Sequence, residues 1–139
     1  MPKKIARRQA REAAFLVLFA EDFASAVQEE SCDKDALFAL ADEVLSLESD
    51  AYTASLVEGV RAGQGELDAL YEPFLVGGWK KERLSRVTRT LLRMGIYEMK
   101  KTDVPTQVAI NEAVELCKKY AEPKEASFLN GILGSVSRA

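Results

Sequence analysis

The sequence predicts an all-α protein, a compact bundle of about six to seven helices. Three observations carry that prediction. Apolar residues recur three and four apart in segment after segment, prolines and glycines gather between those segments, and no β-branched alternating run stands out. With 139 residues and 47% apolar content the chain can fill one core, so residues 1–139 read as a single domain or as two small lobes sharing it. Pro73 and Gly77-Gly78, flanked by Phe74 and Trp79, mark the joint, giving lobes of about 1–75 and 76–139.

The first helix is predicted from Lys3 to about Asp22. Lys4, Arg7, Arg8 and Arg11 recur at i, i+3, i+4 and i+7 and share one face. Ala6, Gln9, Ala13, Leu16, Val17 and Ala20 run along the other side, the predicted core face. Phe15 and Phe19 lie one and two turns beyond Arg11, on or beside the basic face. Two readings fit: a solvated charged end with both rings buried, or a phosphate-binding strip continued by a stacking ring. Uncompensated positive charge at a helix N-terminus opposes the macrodipole and costs stability, which favours the second.

Residues 24–32 are polar and acidic and read as a loop. Ser31 or Asp33 then caps a second helix to about Leu47, with Leu37, Leu40 and Val44 at helical spacing. Ser49 or Asp50 starts a third, carrying Tyr52, Leu56, Val60, Leu67, Leu70 and Tyr71. Gly59, Gly63 and Gly65 weaken its middle and predict a bend or a close helix crossing. A fourth helix is expected from about Lys81 to Lys100. Its Arg86, Arg89 and Arg93 form a second basic stripe, which ion pairing with the acidic third helix explains as well as a ligand does.

The stretch Val104–Tyr120 has the strongest pattern. Pro105 suits a first helical turn, and Thr102 and Asp103 can offer oxygens to its orphan amides. Ala109, Ile110, Ala113, Val114, Leu116, Cys117 and Tyr120 fall within an arc of roughly 160°, the width of a helix wedged between several neighbours. Residues 121–124 read as a turn, and a last helix over about 125–137 buries Leu129, Ile132, Leu133 and Val136 with Phe128. Gly131 and Gly134 on it leave room for a close neighbour.

The formal net charge of −3 conceals segregation of the signs. Residues 1–11 carry +5, residues 12–79 carry −13, residues 80–101 carry +6 and the remainder −1. A weakly acidic chain built this way can still hold a local anion-binding surface. No apolar run reaches membrane-spanning length and no apolar signal region follows the first charges, so a soluble, cytoplasmic protein is expected. There is no histidine, and Cys32 and Cys117 lack partners at metal-ligand spacing, so no metal, cofactor or catalytic set is expected. Glu112 and Glu115 read as outward partners of Lys118 and Lys119 rather than as a catalytic pair.

Two regions together resemble one family, the NusB transcription antitermination factors. The opening Ala6-Arg7-Arg8-Gln9-Ala10-Arg11-Glu12 is similar to that family's basic N-terminus. Leu92-Arg93-Met94-Gly95-Ile96-Tyr97-Glu98-Met99, Val104-Pro105, the run from Val108 through Ile110-Asn111-Glu112-Ala113 to Leu116, and Phe128-Leu129-Asn130-Gly131-Ile132-Leu133 are similar to its C-terminal half. Residues 24–48 carry no signature. The resemblance implies two three-helix lobes. It also implies binding of the boxA element of nascent RNA together with NusE, a small-subunit ribosomal protein, and loading of the pair onto the RNA polymerase antitermination complex. By position it assigns Lys4, Arg7, Arg8 and Arg11 to the RNA-binding strip, Phe19 to an aromatic beside the RNA, and Phe74, Lys124 and Phe128 to further stretches of its path. The partner is expected against the helices from Leu84 to Tyr120. Many members carry an acid just before Arg89, where this chain has Thr88, so the expected salt bridge to the partner loses its acid here. Competing readings are an accessory domain of an RNA methyltransferase, an enzyme, and a purely protein-binding scaffold, with a homodimer as one form of it.

Overall fold

The computed structural model describes residues 6–29, 50–75 and 84–139, and these are helical with no strand among them. Six α-helices follow one another in the described residues: α1 (Arg7–Glu29), α2 (Ala51–Ala62), α3 (Gln64–Tyr71), α4 (Arg86–Lys101), α5 (Thr106–Tyr120) and α6 (Pro123–Arg138). A 3-10 turn, Glu72–Phe74, follows α3. The predicted second helix, Cys32, Gly77-Gly78 and Trp79 lie outside the described residues, as does Lys4. No described helix is long and apolar enough to cross a membrane. Contacts divide the chain into two compact units, 1–58 and 59–139, a division that falls inside α2 rather than near residue 75.

In the first unit, α1 runs seven residues past the predicted end, through a stretch whose polarity predicts a loop. Alanine is the best helix former, and Ala20 and Ala24 carry the helix on. Phe19 and Phe23, one turn apart, stack with centroids 6.5 Å apart, and Phe15 meets Phe19 at 5.8 Å. α2 starts at the predicted cap: Thr53 donates its backbone N–H to Asp50 Oδ1 at 3.1 Å, and Asp50 returns its own N–H to Thr53 Oγ1 at 3.3 Å. Thr53 Oγ1 also donates to the Ala10 carbonyl at 3.2 Å and ties α2 to α1.

The second unit is built on α4, α5 and α6, which pack pairwise, with α3 against α4. Ala109, Ile110, Ala113, Leu116 and Cys117 are buried on α5, while Gln107, Asn111, Glu115, Lys118 and Lys119 are exposed, as the periodicity requires. Gly95 lets three helices converge. A methyl there would meet Leu133 Cδ1 at 3.1 Å and Ala113 Cβ at 3.5 Å. Gly63 breaks the predicted third helix into α2 and α3.

Two expectations about helix ends change. Thr102 turns back rather than forward: its hydroxyl donates to the Glu98 carbonyl at 2.6 Å and accepts from Val104 N–H at 3.2 Å, so it closes α4 and leaves Pro105 to open α5 without a side-chain cap. The last helix begins at Pro123, two residues early, because Glu122 and Glu125 form a reciprocal capping box around it. A methyl on Gly131 would meet no atom within 4 Å, and Gly134 faces Arg138, so the close approach foreseen on α6 occurs at Gly95 instead.

Candidate nucleic-acid interface

The first turn of α1 contains no acid, and Arg7 and Arg8 on it are exposed. Their charge faces the positive end of the helix dipole and is tolerated because the side chains reach water or an aromatic ring. Arg7 takes the ring: its guanidinium carbon lies 3.8 Å from the centroid of Tyr52 on α2. Arg11 behaves differently from the prediction. It is only 6% exposed, with its guanidinium carbon 5.9 Å from the same ring.

The basic face therefore dives into the fold after one turn. Ala10, Ala14, Phe15 and Leu18 are buried along with the expected Ala13 and Leu16, whereas Ala6 and Gln9 of the predicted core face are exposed. Arginine has an apolar stem and a plane that packs on aromatics, so a periodicity count that treats it as polar misplaces the stripe. Phe15 belongs to the core at 1% exposure, and Phe19 stays half-buried at the edge.

A model of the NusB family matches residues 8–138. The chain belongs to the NusB family. The transcription antitermination protein NusB of Listeria monocytogenes serotype 4b is 39% identical over 132 residues, covering 94% of this chain and 95% of that protein. A structure of T. maritima NusB superposes with a TM-score of 0.76 at 30% identity, covering 98% of this chain and 93% of that one. A chain in the crystal structure of antitermination factors NusB and NusE in complex with dsRNA gives a TM-score of 0.71 at 30% identity, covering 95% of this chain and 96% of that one.

In this member of the NusB family, the remaining predicted contact residues lie in the second unit. Phe74 is half-buried at the end of the 3-10 turn. Lys124 is exposed at the second position of α6, and Phe128 is half-buried one turn later on the same helix. The second basic stripe resolves in favour of ion pairing at Arg93. Its Nε and Nη2 donate to the two carboxylate oxygens of Asp68 at 2.8 and 2.9 Å, with both side chains at least nine-tenths buried. Burial and the Asp68 carboxylate beside it push the Tyr71 phenol well above its usual range.

Thr88 is not a surface position. At 2% exposure it donates its hydroxyl to Glu125 Oε1 at 3.2 Å, and its N–H donates to the Ser85 hydroxyl that caps α4. An acid there would face Glu125, so threonine suits the site this chain has. Cys117 is a core packing residue at 0% exposure, and burial pushes its thiol above the usual pKa. Lys118 meets Glu115 at 3.4 Å with both side chains more than half exposed, a surface pair worth little energetically. Sequence reasoning missed Tyr52 as the ring that Arg7 and Arg11 share. Its position right after a capped helix start was legible, but only the fold brings it under Arg7.

Proposed function

We propose that this chain is a transcription antitermination factor that binds boxA RNA together with NusE and joins the RNA polymerase antitermination complex in the cytoplasm, without catalysing a reaction. The observation that carries this reading is the family match over nearly the whole chain, joined to exposed Arg7 and Arg8 on an acid-free first turn. RNA strands are held by phosphate contacts and by bases stacked on aromatic or guanidinium planes, and this end of α1 offers both kinds of group. Lys4 extends the strip by position, and Phe19 stands two turns along as a stacking ring. Phe74, Lys124 and Phe128 are assigned to the same RNA. Residues 1–139 act as one NusB-like domain in this reading.

In this reading NusE docks on the exposed sides of α4 and α5, which include Val108 at 42% exposure. Thr88, being buried, makes no contact with it. The test is titration of boxA RNA, single-stranded and as a duplex, with and without NusE. Replacing Arg7 and Arg8 with alanine weakens binding while helical content is unchanged. Unaltered binding by a folded double variant removes the strip from the mechanism.

A further inference from the structure

Tyr52 occupies the second position of α2 and is half-buried. Its ring receives two cations from one face of α1, Arg7 at 3.8 Å and Arg11 at 5.9 Å, both within the roughly 6 Å reach of a cation–π contact. The ring's own position is fixed from the neighbouring residue. Thr53 is locked to Asp50 by reciprocal bonds and to the Ala10 carbonyl, which lies on α1 between the two arginines.

Like charges one turn apart at a helix N-terminus repel each other and the dipole. The electron-rich ring face offsets both repulsions. A guanidinium held against a ring has also lost much of its rotamer freedom before any ligand arrives, so less order must be imposed on binding.

We infer that Tyr52 is a positioning residue for RNA binding, presenting the exposed Arg7 guanidinium to the strand through a cation–π contact that Arg11 shares. This inference rests on the reading of the N-terminal strip as the RNA site.

Ring-fluorinated phenylalanines at position 52 test it, because they drain the ring's negative face while keeping its size and the fold. Tyr52→Phe binds boxA RNA as the parent does. Successive fluorination weakens binding stepwise, by about two- to twelve-fold in all, the cost of immobilising one long side chain on binding. In an Arg7→Ala background the same series is flat. A flat series with Arg7 present, when Arg7→Ala itself weakens binding, overturns the positioning role and leaves the strip intact. A stepwise loss that persists without Arg7 also overturns it, since the ring then acts on the RNA or on the fold directly. Silence of Arg7→Ala overturns the role of Tyr52, and silence of Arg7→Ala together with Arg8→Ala overturns the strip reading as well.

Discussion

Arg93 and Asp68 show what a single residue pair controls here. The fork-to-fork geometry satisfies both oxygens of a carboxylate that lies almost out of water. Arg93→Ala leaves that carboxylate buried and unpaired, and it is expected to cost about 3–5 kcal/mol in urea unfolding. Replacing both members, as Asp68→Leu with Arg93→Met, recovers most of the loss, because a desolvated ion pair and a well-packed apolar pair differ little in net stability. Glu125 makes a second residue-scale prediction. The Ser85 hydroxyl holds its carboxyl below the usual value near 4.5, helped by the Glu122 amide and the Thr88 hydroxyl and opposed by burial. A folded-state pKa below the unfolded one stabilises the protein above the unfolded value, and that contribution is lost as pH falls from about 4.5 through the depressed value. The stability difference between the parent and Glu125→Gln, measured by thermal unfolding, should therefore shrink with acidification over that window and stay constant above it.

At the scale of the element, glycines on adjacent helices have opposite meanings. A methyl on Gly59 would run into the Tyr97 ring of α4, whereas one on Gly65 would meet no atom within 4 Å. Alanine gains up to about 1 kcal/mol of helix propensity at either site, but overpacking at Gly59 costs about 1–3 kcal/mol. Gly59→Ala is expected to lower the denaturation midpoint and Gly65→Ala to raise it. Equal shifts would mean that Gly59 and Tyr97 are not in close contact. Helix interiors were legible from residue types, as Ala109, Ile110, Ala113, Leu116 and Cys117 demonstrate. Helix ends were less so. Thr102 has a carbonyl behind it and an amide ahead, and the side it closes depends on backbone direction that no residue count contains.

For the whole molecule, charge is distributed against the net sign. A chain of −3 repels a polyanion at long range, so on the proposed reading the +5 segment at residues 1–11 attracts RNA at short range. Each phosphate neutralised on a single strand contributes about −0.7 to the slope of log affinity against log salt. Removing Arg7 and Arg8 together should flatten that slope by about 1.4, measured between low and physiological salt. Arg11→Ala should change the slope less than either exposed arginine does, because Arg11 is 6% exposed against the Tyr52 ring.

Periodicity, capping residues and turn formers decided the helical class, the apolar face of α5, a helix start at Ser49 or Asp50 and the positive charge at the amino end, because each depends on residues a few positions apart. Only the tertiary structure decided which of those charges stay at the surface. Arg7 and Arg11 occupy equivalent places on the same helical face, yet one is exposed and the other buried, and Arg93 closes on a carboxylate 25 residues away. An arginine's fate depends on the ring or carboxylate that a distant segment brings to it, and that neighbour is absent from any local pattern.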